Sequence, residues 1–276
     1  MSLYELIFSF MVYGFVGWCW ETPYVSIKQR KVVNRGFLNG PFIPIYAFGA
    51  LFIIRSEAFL QLILPSNAML QFLLVVLYAS IMSSILEYVT SYVLEQAFHT
   101  KWWDYSDKKF NLNGRICLVY SIGWGFVGFS IIKWIHPVVQ SLIAGISIKI
   151  GTMVLIIYCF MFIVDVILTL KDLISLKIIM SDLLALTGEL KVKLVEGIHL
   201  QKGKLVENLE IRQVKIKEEI LYRKAQGGAA LSEKQEALFY LLEKSKKYSR
   251  FYHIFPKARS SKFHELVDVV RKNIKR

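Results

Sequence analysis

The chain has 276 residues, 55% of them hydrophobic, a mean hydropathy of +0.44 and a formal net charge of +13. Residues 1–170 hold 11 Lys/Arg against 8 Asp/Glu, and the remaining 106 hold 23 against 13. This excludes an ordinary soluble domain and predicts two regimes: a transmembrane domain over 1–170 and a basic cytoplasmic helical or coiled-coil tail over 171–276.

A spanning helix needs about 20 mostly apolar residues. Five stretches qualify, at roughly 3–27, 42–64, 68–97, 114–135 and 146–170. The first has no basic flank before it and no small-residue cleavage site, so it reads as a retained helix rather than a signal peptide. Its end, Trp18 to Tyr24, carries aromatic interface residues and Glu21. The loop from Lys28 to Gly40 holds four bases and no acid. The loop at Pro65-Ser66-Asn67 is uncharged, the one from His99 to Arg115 is basic on balance, and His136-Pro137 reads as a fourth loop. The positive-inside rule then places the N-terminus outside and residues 28–40, 99–115 and the tail in the cytoplasm of a multi-pass plasma-membrane protein. The fold class expected is all-α: a polytopic membrane helical bundle with a C-terminal helical hairpin. The three cysteines, Cys19, Cys117 and Cys159, lie in apolar surroundings without C-x-x-C spacing and read as buried hydrophobes.

The stretch from His99 to Gly125 is polar, aromatic and rich in turn formers, and part of it repeats. Leu38-Asn39-Gly40, followed after four residues by Ile45-Tyr46-Ala47-Phe48-Gly49, aligns with Leu112-Asn113-Gly114, followed after four by Val119-Tyr120-Ser121-Ile122-Gly123. Helices 1–2 and 3–4 thus read as two parallel hairpin repeats, with the fifth helix unpaired. Glu21 and Glu87 are counterparts in this reading, and the two Asn-Gly pairs are turns that start helices.

Beyond 171, apolar residues from Leu183 to Ile220 recur at helical spacing. Gly227-Gly228 breaks the pattern, Ser232-Glu233-Lys234-Gln235 matches a capping box, and a third short helix follows Pro256. Lys246 to Phe255 mixes bases with aromatics. It reads either as a solvated face with an apolar underside or as a contact for anionic lipid headgroups, whereas nucleic acid lacks any supporting signature.

Carboxylates in hydrocarbon are costly and face a bundle interior or a cavity. Glu21, Glu87, Glu95 and Asp165 are the acids in or beside the apolar runs. Glu87 is the deepest and is expected to face a polar interior, coupled to Arg35 or Arg115; its replacement should therefore do more damage than that of Glu95. The two arginines could instead bind a phosphate or carboxylate bidentately. A polar site built from Glu21, Arg35, Glu87 and Arg115, rimmed by Trp102, Trp103 and Asp104, is the candidate for substrate binding. No phosphate-cradling loop, H-E-x-x-H or G-x-S-x-G occurs, and the five histidines do not cluster in sequence. This favours a non-enzyme with no cofactor and no metal.

Gly17-Trp18-x-x-Glu21, Asn34-Arg35-Gly36-Phe37-Leu38-x-Gly40-Pro41-x-x-Pro44-Ile45-Tyr46, Leu86-Glu87-Tyr88, Trp102-Trp103-Asp104-Tyr105-Ser106 and Asn113-Gly114-Arg115-Ile116-Cys117-Leu118 form a specific set. Together, over roughly residues 10–130, they resemble the ABC-transporter type IV family of bacterial membrane proteins. The resemblance implies a permease-like component in the lipid bilayer. The chain carries no nucleotide-binding domain, so an ATPase would be a separate subunit; a homo-oligomer is the other partner considered. Two further readings stay open: a membrane enzyme acting on lipid headgroups, with Asp104 or Glu87 as acid/base, and a scaffold that recruits a partner through its tail.

Overall fold

A computed structural model describes residues 1–63, 65–205, 236–238, 240–245, 247–255 and 258–260. The expected break at Gly227-Gly228, the capping box at Ser232 and the helix after Pro256 lie outside these residues. Contacts divide the chain into two compact units, the first being Met1–Leu173 together with Phe251–Ser261. In the second, Leu176, Ile179, Met180 and Leu183 are buried on one face of a helix, and Leu242 and Tyr248 are buried as well.

The first unit holds α1 (Leu3–Gln29), α2 (Pro44–Ile63), α3 (Ala68–Phe98), α4 (Leu118–Ser130), α5 (His136–Ala144) and the start of α6 (Ile148–Leu205). Five helical segments are long and apolar enough to cross a membrane: Leu3–Gln29, Pro44–Leu62, Ala68–Phe98, Leu118–Ala144 and Ile148–Thr187. This is a mostly helical, multi-pass membrane protein.

Local sequence sets the ends of these helices. The Ser2 hydroxyl accepts from the Glu5 amide, and Glu5 accepts in return from the Ser2 amide at 2.7 Å, closing a capping box on α1. Asn67 caps α3 by accepting from the Leu70 amide at 3.0 Å. Arg30 and His99, both at positive φ, end α1 and α3.

One boundary differs from that read in the sequence. His136-Pro137 is not a loop: a π turn at Ile131–Ile135 joins α4 to α5, and the fourth span continues to Ala144. Pro137 sits at the start of α5, where a missing backbone N–H costs least. The helix α6 runs unbroken through Lys171 and Asp172, where the charge density rises; Lys is a good helix former, and a single Asp is tolerated in a helix this long.

Lipid is as apolar as leucine, so membrane helices associate through close packing and polar contacts. On α3, Leu73, Leu77, Ile81, Ile85 and Val89 form an exposed apolar stripe, while Val75, Ala79, Glu87 and Ser91 are buried on another face. Small residues let α4 approach that buried face. A Cβ on Gly125 would lie 2.1 Å from Ser80 Oγ and 2.5 Å from the Val76 carbonyl oxygen, and the Ser84 and Ser121 hydroxyls meet at 2.7 Å. The α1–α2 pair packs in similar fashion: a Cβ on Gly17 would lie 2.6 Å from the Tyr46 ring. Leu38 precedes Leu112 by 74 positions, and the starts of α2 and α4, Pro44 and Leu118, are separated by the same interval. Each start falls four residues after its Asn-Gly pair rather than at it.

Candidate functional site

Two loops shape one end of the four-helix core. In the first, the Asn39 and Gly40 amides donate to the Asp165 carboxylate of α6 at 2.9 and 2.7 Å, and the Arg35 amide donates to Thr22 Oγ1 at 3.2 Å. Asp165 is therefore an anchor for the loop that carries Arg35. In the second loop, β1 (Asn111–Leu112) pairs antiparallel with β2 (Ile116–Cys117) around Asn113 and Gly114, both at positive φ. The Asp104 carboxylate accepts from the Ser106 amide at 3.1 Å and from its hydroxyl at 2.6 Å. A Cβ on Gly114 would come within 2.4 Å of Asp104 Oδ1, so this crossing needs glycine for space as well as for φ.

Between α1–α4 and these loops lies a cavity of about 180 Å³. Its charged wall is Glu21, Arg35 and Glu87, and its aromatic wall includes Tyr46, Trp103, Tyr105, Trp124 and Phe255. Glu21 is doubly held: Arg35 Nε donates to Oε2 at 3.2 Å and Tyr46 donates to Oε1 at 3.0 Å. The Arg35 guanidinium also donates to the Ile254 carbonyl and lies 4.8 Å from the Phe255 ring centroid. Glu87 is held on one side only. Tyr105 donates to its Oε1 at 3.0 Å, whereas its Oε2 is buried and has no hydrogen-bond partner among the described residues. Burial first, and the neighbouring Glu87 carboxylate second, push the Tyr105 phenol above its ordinary range and keep it a donor.

Of the seven residues singled out in the sequence, Glu21, Arg35, Glu87 and Trp103 line this cavity. Arg115 points elsewhere: Nη2 pairs with Glu95 Oε2 at 2.7 Å, Nη1 donates to Ser91 Oγ at 3.1 Å, and the guanidinium lies 5.6 and 5.5 Å from the Tyr88 and Tyr92 ring centroids. Its backbone carbonyl accepts from Trp103 Nε1 at 3.0 Å, which fixes the indole at the cavity wall. Trp102 is buried outside the cavity among Phe37, Phe251 and Phe255, and Asp104 shapes the hairpin behind Trp103 and Tyr105. The expected ion pair between Glu87 and either arginine does not form, because Glu21 and Glu95 hold them. Glu95 stands 74 positions after Glu21. By that interval Glu95, rather than Glu87, is the counterpart of Glu21, and each of the two carries a loop arginine.

A family model matches residues 8–170, a span that contains every cavity-lining residue except Phe255. The chain belongs to the family described as "Putative ABC-transporter type IV". No curated protein and no solved structure matches it. Within this type IV family chain, sequence reasoning passed over Tyr46, Ser83, Tyr105, Trp124 and Phe255 as cavity residues. Tyr46 was legible only as part of the repeat and of the motif that carries the family resemblance. Phe255 was legible only as one aromatic of a basic stretch, yet Phe251, Ile254 and Phe255 are buried in the first unit.

Proposed function

We propose that the cavity is the solute-binding site of a permease-like membrane component. One observation carries this reading: a buried carboxylate, Glu87, lines the cavity, and its Oε2 has no hydrogen-bond partner among the described residues. An orphaned buried acceptor costs about 1–3 kcal/mol, more when charged, and a bound solute that supplies a donor would recover that cost. Glu21, Arg35, Glu87, Trp103, Tyr46, Tyr105 and Trp124 bind the solute, while Arg115, Trp102 and Asp104 hold the wall. Charge bias places the loops at this end in the cytoplasm, so the site opens inward in a plasma-membrane protein. The basic tail meets anionic headgroups, and a separate ATPase subunit would supply energy, a partner suggested by the family name alone. The lipid-enzyme reading has less support, since Asp104 is occupied by Ser106 and stands off the cavity.

The test uses the full chain with its three cysteines replaced and Ser83→Cys or Ser106→Cys introduced. A water-soluble thiol reagent should modify Ser83→Cys in inside-out vesicles. An unreactive Ser83→Cys would refute a solute-accessible cavity, and Ser106→Cys labelling in intact cells would refute the orientation.

A further inference from the structure

We infer that the cavity is built for a small organic monocation carrying at least one N–H, such as a protonated primary amine with an apolar body. This rests on the solute-site reading above and assigns its substrate class. The first ground is charge. Glu21 and Arg35 neutralise each other at 3.2 Å, so an ionised Glu87 leaves the wall with one negative charge, and a bound cation would favour that ionised form. An anion would have to compete with Glu21 for Arg35 and would face Glu87 besides.

The second ground is the spare hydrogen-bonding capacity. Glu21 has both oxygens engaged, and Glu87 has one engaged by Tyr105. What remains is the acceptor Oε2, which calls for a donor. The Tyr46 and Tyr105 hydroxyls already donate to carboxylates and cannot serve that oxygen. A quaternary ammonium would satisfy the charge but leave the acceptor unpaired, so an N–H is required.

The third ground is the rest of the wall. Tyr46 and Trp124 meet edge to face at 5.3 Å, and Trp103 and Tyr105 complete an aromatic enclosure. Aromatic faces attract a desolvated cation and also take an apolar body. Leu86, Ile45, Val127 and Ile131 offer no competing polar group. A carboxylate with one free oxygen, set in an aromatic enclosure, recognises an ammonium better than it recognises a sugar or a phosphate.

The experiment uses purified full-length protein carrying Ser83→Cys, with propyl-, benzyl- and 2-phenylethylammonium as probes. The skeleton-matched controls are 2-phenylethanol, phenylacetate and tetramethylammonium. At least one primary ammonium should slow thiol labelling about tenfold and raise the melting temperature, and the controls should do neither. Glu87→Gln should weaken that protection about tenfold or more, the loss of one charge-assisted hydrogen bond. Should Glu87→Gln fail to fold, Trp124→Leu is the substitute and should weaken protection by severalfold. Protection by phenylacetate or 2-phenylethanol equal to that by the ammonium would overturn the cation assignment while leaving a solute site standing. A reactive Ser83→Cys that no ammonium protects would overturn the cation assignment too. An unreactive Ser83→Cys would remove the solute site itself.

Discussion

Glu95→Gln tests where the electrostatic weight of this bundle lies. The perturbation removes the partner of Arg115, whose side chain is 11% exposed against 18% for Glu95. Losing one member of a buried pair leaves a charge uncompensated and costs about 3–5 kcal/mol. The Ser91 hydroxyl and the faces of Tyr88 and Tyr92 still hold the guanidinium. Cation–π contacts retain about 0.5–2 kcal/mol of its stabilisation, which points to the lower end, about 3 kcal/mol. Glu87→Gln differs in kind. The amide oxygen still accepts from Tyr105, and an unpaired neutral NH2 replaces the unpaired Oε2, so the change in stability should stay within about 1 kcal/mol. This reverses the order expected from depth in the sequence. The assay is reversible unfolding in mixed micelles for both single variants and for Glu95→Leu with Arg115→Met. The double variant should recover much of the loss, since apolar replacement of a buried pair is often neutral. A larger cost for Glu87→Gln than for Glu95→Gln, or a double variant no better than Glu95→Gln, would refute the reasoning.

Gly125→Val should lower stability by about 1–3 kcal/mol, because its Cβ would press on Ser80 and on the Val76 backbone; Gly123→Ala, with open space around it, should be neutral or gain up to about 1 kcal/mol in the same unfolding assay. Gly114→Ala forces a side chain at φ +64° against Asp104 and Ser106 and should cost about 1–3 kcal/mol, read as a lower melting temperature. Asp165→Ala strands the Asn39 and Gly40 amides; about 1–3 kcal/mol should be lost, and hydrogen exchange at Asn39 and Gly40 should quicken while α3 stays protected.

The membrane bundle was legible because lipid imposes a coarse demand: long apolar runs register in the composition whatever the helices touch. Helix ends followed less well. Pro137 looked like punctuation, yet a π turn at Ile131–Ile135 absorbs it inside one span. The candidate site was half legible. Acids in apolar runs announced Glu21 and Glu87, and turn-flanking bases announced Arg35. Pairing was not legible, since which arginine reaches which acid depends on where the loops fold back. Depth along a run suggested that Glu87 needed an arginine; the hairpin at Asn113-Gly114 instead turns Arg115 toward Glu95. Aromatic walls carry no signal of their own in a chain with 14 Tyr, 19 Phe and 6 Trp, so nothing in the sequence marked Tyr46 and Trp124 as neighbours across a cavity.

The 74-residue interval bears on why the cavity has the charge it has. It relates Glu21 to Glu95, Tyr46 to Tyr120 and the start of α2 to that of α4. In both halves an acid near the end of the first helix is held by an arginine from the loop that follows. The interval relates the two acids but not the two arginines, since it takes Arg35 to Lys109; each pair is electrically closed all the same. Glu87 lies outside that scheme: its counterpart by the same interval is Tyr13, which bonds His136 through its hydroxyl at 3.2 Å. The unpaired carboxylate is therefore a departure of the second half from the first. Tyr105 belongs to the same departure, since the interval returns it to Lys31, which is exposed. The second half thus has one buried carboxylate, Glu87, that lines the cavity with a single fixed donor.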